Sequence, residues 1–122
     1  MENLSVAVGT DHYYLVTYVD SNSSPVPLVS LSNAVWVVSD NSDVTKITKN
    51  ITNSGIVVSD AAAGQMLITL SNADTAPPVG SATVNVVLKH ELRLYFGDGT
   101  TEVPLDFSGT FTILKSTTLG VT

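Results

Sequence analysis

Few side chains in this sequence can move protons or hold a metal. The chain has two histidines, His12 and His90, and no cysteine. Disulfides and thiolate metal sites are therefore excluded. His90 falls on the apolar phase of an alternating segment, where a hydrogen-bonded core or interface histidine is a better reading than a proton-transfer group. His12 precedes Tyr13 and Tyr14 and is expected at the surface. The carboxylates Asp20, Asp40, Asp43, Asp60, Asp74 and Asp98 stand mostly in turn-like segments. Two of them could pair as acid and base, as in a glycosidase. Aspartate is common in turns, however, because it bonds its own backbone. Asp98-Gly99 resembles a fragment of a calcium loop but lacks the repeated ligands and closing Glu. Asp40 and Asp43 are a similarly incomplete pair. Gly97 and Gly99 lack the Lys, the Ser/Thr and the helix that follow a phosphate loop, and no G-x-S-x-G elbow is present. The expectation is a protein that is not an enzyme, with no catalytic residue, no metal ligand and no cofactor.

The aromatic residues offer a different chemistry, since sugars stack on flat rings. Trp36 lies within the apolar run AVWVV, so core packing is its better reading. Tyr95 shares a polar phase with Glu91 and Arg93, which makes Arg93 and Tyr95 candidates for a contact surface. Leu4, Val6 and Val8 share one face near the N-terminus. They are candidates for an added strand that reaches a partner, or for a strand of the protein's own sheet.

These candidates must be positioned by strands. Period-2 alternation with β-branched and aromatic residues predicts strands at 4–8, 13–19, 34–38, 44–51, 56–59 and 66–70. The segment 44–51 is ambiguous, because Val44, Ile47 and Ile51 stand at helical spacing; a strand with an irregularity is favoured. The longest alternation places Val84, Val86, Leu88, His90, Leu92, Leu94 and Phe96 on one face. FGDGT at 96–100 is a hairpin turn, and the return carries Val103, Leu105, Phe107, Phe111 and Ile113. Pro104 marks an edge or bulge, and Pro77-Pro78 forbid a central strand at 71–80. The hairpin 84–115 has few charged guards along its edges, so it is a second candidate for adding to a neighbour's sheet, the alternative being that it completes the protein's own. Residues 116–122 read as a loose tail. About seven or eight short strands predict a single antiparallel β-sandwich over 1–122, with no helix longer than two turns.

Composition narrows the partners. Charged residues are 13% of the chain and the formal net charge is −6. Lys46, Lys49, Lys89, Arg93 and Lys115 are scattered, without the clustered basic face that nucleic acid or anionic lipid would need. No segment approaches the roughly 18 apolar residues of a membrane span. The N-terminus lacks the basic and apolar regions of a secretory leader, so synthesis in a cytoplasm is expected.

One set of motifs carries a family resemblance. PVPLVSLSNAVWVV at 25–38, GIVVSDAAAGQMLITLSNADTAPPVG at 55–80 and GTFTIL at 109–114 resemble the immunoglobulin-like modules of tailed bacteriophages. The similarity is to the N-terminal domain of upper baseplate proteins in particular, and it covers about three-quarters of the chain. It implies an immunoglobulin-like fold and a structural or attachment role in a virion. Its motifs are structural, so it assigns no site residue. Two departures stand out: the extended first part, residues 1–24, and the long hairpin at 84–115. The module also lies close to the last residue of the sequence, so no receptor-binding domain is expected to follow. The expectation is a small virion component present in multiple copies beside other virion proteins. Tail, baseplate or fibre attachment is favoured over capsid decoration. The alternative is a module that binds a host glycan or another host-surface group.

Overall fold

The structure is a computed structural model and describes residues 3–76, 79–81, 83–104 and 107–115. It is a β-sandwich. The described elements are β1 (Leu4–Ala7), β2 (His12–Thr17), β3 (Leu31–Ser39), β4 (Thr45–Asn50), β5 (Ile56–Asp60), β6 (Gln65–Leu70), the one-turn helix α1 (Asn72–Thr75), β7 (Val86–Phe96), β8 (Thr101–Glu102) and β9 (Ser108–Leu114). One sheet runs β1-β9-β7-β3-β4, with β8 also on β7; the other runs β2-β6-β5. β1 is parallel to β9, and the other strand pairs are antiparallel. This division is immunoglobulin-like, with the long connected sheet facing a smaller three-stranded one.

Alternation decides which side chains enter the core, because successive residues of a strand point to opposite faces. β3 shows this cleanly: Ala34, Trp36 and Val38 are buried, while Val35 and Val37 are half-buried on the far side. β7 buries Leu88, His90, Leu92 and Leu94. β6 answers from the opposite sheet with Met66, Ile68 and Leu70. β7 begins at Val86, so Val84, which the pattern placed on the inner face, lies before the strand and is exposed. The ambiguity at 44–51 resolves as an irregular strand. Val38 pairs with Ile47 and Ser39 with Thr45, which leaves Lys46 as an extra residue. That bulge breaks the period of two and produces the helix-like spacing.

At two edges the structure decides between the alternatives. The hairpin 84–115 offers no long free edge. β7 is flanked by β3 on one side and by β9 and β8 on the other, and β9 is flanked by β1. The return strand is interrupted between β8 and β9, around Pro104, so a single hairpin arm does not form. The N-terminal segment completes the protein's own sheet. Leu4 and Val6 are buried, and Val8 extends the pairing by donating its N–H to the Leu114 carbonyl at 3.0 Å. The expected positions Pro77, Pro78, Leu105 and 116–122 lie outside the described residues.

The turns lock the two sheets together. Gly64 has φ +70°, and a Cβ there would meet the Val26 and Tyr18 carbonyls at 2.6 and 2.9 Å, so only glycine fits. At Gly80 a Cβ would stand 2.1 Å from the Thr75 carbonyl. Asp74 accepts the N–H and hydroxyl of Ser71 at 2.7 and 3.2 Å. Thr75 bonds across the chain and not locally: its buried hydroxyl oxygen accepts the Gly9 N–H at 2.9 Å, tying the β1–β2 turn to α1.

Candidate interaction surface

His90, Trp36 and the turn carboxylates take part in structural contacts, while His12 is exposed beside a groove. His90 is 3% exposed, and its Nδ1 accepts the Trp36 indole N–H at 3.1 Å. Trp36 is fully buried and meets Phe111 edge-on, with ring centroids 5.5 Å apart. Phe107 stacks edge-on against His90 at 5.0 Å. Trp36 and His90 are therefore a hydrogen-bonded pair inside an aromatic cluster, and Trp36 offers no ring to a sugar. Tyr14 packs on the same cluster, and burial pushes its hydroxyl pKa up to about 12.

The turn carboxylates are directed at their own backbone. Asp20 accepts N–H groups from Asn22 and Ser24, Asp40 from Ser42 and Val44, and Asp60 from Ala63. Asp98 accepts both the N–H and the hydroxyl of Thr100. The Val44 N–H is the main cause that holds the Asp40 carboxyl below its usual range, and the Thr100 hydroxyl does the same for Asp98. Asp43 pairs with Lys89 on β7. Among the described residues, no group of three His, Asp or Glu side chains is placed to hold a metal ion.

Of the predicted contact residues, Leu4 and Val6 face the core, Val8 is half-buried, and Arg93 and Tyr95 lie on the outer face of the larger sheet. The structure thus separates them onto two faces of one sheet. Arg93 is exposed, and its guanidinium bonds Glu91 at 2.6 Å, which raises its already high pKa. Tyr95 is half-buried, and its carbonyl accepts the Ser32 hydroxyl at 2.9 Å. This face has an apolar middle, Val35 and Val37, closed in by the Arg93–Glu91 and Lys89–Asp43 pairs. Solvated ion pairs of this kind contribute little stability.

The outer face of the smaller sheet is different. Tyr13 is 66% exposed, Leu15 60% and Val57 51%. Register places Leu15 opposite Leu67 and Leu67 opposite Val57, a continuous apolar row across three strands. Tyr13 extends the patch along β2, beside a groove lined by Asp11, His12, Thr69 and Ser71. No charged side chain interrupts the row. Contiguous exposed apolar surface of this kind marks contact sites.

Sequence reasoning passed over this patch, although its signal was present. β2 reads HYYLVT, with Tyr13 and Leu15 on one phase and Tyr14 and Val16 on the other, and β6 adds Leu67 to the outer phase between Gln65 and Thr69. β7 alternates apolar with Lys89, Glu91 and Arg93. A strand that is apolar on both faces needs cover on both faces. A scan against protein-family models matches none, and a search of curated proteins finds no significant relative.

Proposed function

We propose that the protein is a non-enzymatic structural module of a tailed-phage virion, acting as an adaptor or accessory assembly component. Attachment at the tail, baseplate or fibre is favoured over capsid decoration. The observation that carries the assembly reading is the uncharged apolar row Leu15–Leu67–Val57 on an outer sheet face, beside a groove. The phage setting is supported by the motifs at 25–38, 55–80 and 109–114, and by an immunoglobulin-like strand order. On this reading the chain is made in the host cytoplasm and joins other virion proteins, with no role for nucleic acid or membrane. Mass spectrometry of gradient-purified particles from the source culture tests it. Recovery of the chain in stoichiometric amount is the expected result, and its absence from intact particles counts against the virion setting.

A second reading rests on Tyr13. Its ring is two-thirds exposed beside the Asp11 carboxylate and the Thr69 and Ser71 hydroxyls. A ring next to polar acceptors suits a sugar. Glycan-array binding that Tyr13→Ala abolishes would favour a host-surface role.

A further inference from the structure

We infer that β2 is the docking edge for a second copy of this chain: two β2 strands pair antiparallel about a twofold axis at Leu15, joining two three-stranded sheets into one of six. The inference rests on the assembly reading and names the partner that fills the β2 edge beside the apolar row.

The sheet edges differ in how they are protected. The β4 edge carries Lys46 at its bulge, and Lys49 turns inward to Asp74 at 2.8 Å. Bulges and inward-pointing charges discourage strand addition. β1 is four residues long, and its Ser5 carbonyl accepts the Tyr14 hydroxyl at 3.3 Å. β5 is five residues long with a register break before Asp60. β2 keeps unbroken register over six residues, contains no charge, Pro or Gly, and among the described residues pairs only with β6.

The backbone specifies how such an edge can be filled. The Tyr18 N–H donates to the Gly64 carbonyl at 2.8 Å, continuing the ladder in which Thr17 stands opposite Gln65. Alternate residues of a strand direct their N–H and C=O to the same side. His12, Tyr14, Val16 and Tyr18 therefore serve β6, and Tyr13, Leu15 and Thr17 present their backbone groups outward. An antiparallel copy fits this edge with Leu15 opposite Leu15 of the partner subunit and Tyr13 opposite Thr17 of the partner subunit. Each outward N–H then finds a carbonyl. The side chains agree with the backbone, because the row Val57–Leu67–Leu15 meets its own image at the axis and becomes continuous across six strands. The charges also agree. In this register Asp11 falls opposite Val19 of the partner subunit, so no like charges oppose each other at the seam. The formal net charge of −6 on each copy acts at longer range and is screened by salt, so raised ionic strength strengthens the pairing.

The absence of cysteine allows a direct test. A hydrogen-bonded antiparallel pair sets Cα atoms about 5.5 Å apart, within disulfide reach. Leu15→Cys therefore oxidises to a covalent dimer. Val57→Cys, five strand spacings from its mate or about 24 Å, does not. Sedimentation of the full chain shows the molecular mass doubling with concentration, and more readily at higher salt. Leu15→Lys abolishes the doubling while keeping the β-sheet circular dichroism spectrum; if that variant misfolds, the cysteine pair decides alone. A wild-type chain that stays monomeric at high concentration and salt overturns the inference, as does Val57→Cys cross-linking as fast as Leu15→Cys. A monomeric chain still found in particles overturns self-pairing and leaves the assembly reading standing. A dimeric chain absent from particles supports self-pairing and overturns the virion setting.

Discussion

Trp36 joins aromatic packing and a buried hydrogen bond in one side chain. It is fully buried among Phe111, Tyr14 and His90, and its only polar atom is bonded to His90 Nδ1. Trp36→Ala is expected to cost about 3–5 kcal/mol in urea unfolding. A loss under about 1 kcal/mol would contradict the packing described above. Trp36→Phe keeps most of the ring volume but removes the donor, and a cost of about 1–3 kcal/mol is expected from the stranded acceptor. Asp74 is the residue that links stability to pH. Burial pushes its carboxyl pKa up, but the hydrogen bonds from Lys49 and Ser71 outweigh burial and leave it below the ordinary value. A carboxyl depressed in the folded state stabilises the fold above its unfolded pKa, about 3.9. That contribution disappears as pH falls through the lower folded value. Thermal melts should therefore show Asp74→Asn losing stability relative to the parent at neutral pH, with the difference closing below about pH 4.

At the scale of elements, β1 and the turn at Gly64 carry the sharpest expectations. β1 contributes Leu4 and Val6 to the core against β9. Burial of two aliphatic side chains stabilises by about 3–6 kcal/mol. Deleting residues 1–10 should therefore lower the melting temperature strongly or prevent folding. A truncated chain with an unchanged melt would restore the idea of a detachable arm. Gly64→Ala meets two carbonyls and a left-handed backbone at once, so a loss of more than about 1 kcal/mol is expected by denaturant titration.

At the scale of the molecule, two faces with different chemistry are held by one core. The larger sheet shows solvent ion pairs, and the smaller shows an apolar row. The turn carboxylates bond their own backbone, so EDTA should leave the melting temperature unchanged. A drop of more than a few degrees would return Asp98 or the Asp40–Asp43 turn to consideration as ligands.

What the sequence determined by itself was which residues within a strand share a face. The pleat alternates over about 3.3 Å per residue, so the pattern within a strand is enough to place Trp36 and His90 inside and Arg93 outside. The hairpin turn at Asp98-Gly99 was legible for the same local reason, since Gly99 has φ +90°. That Leu4 and Val6 share a face was legible too, but not whether that face meets a partner or the protein's own core. Only the tertiary structure decided which strands lie beside which. β1 closes onto β9 across more than a hundred residues, β7 becomes interior and β2 becomes an edge. No local pattern encodes those pairings, because YYLVTYV reads the same whether its outer side meets another strand or water. Leu15 is exposed for that reason: long-range pairing leaves the outer face of β2 and β6 without a second layer.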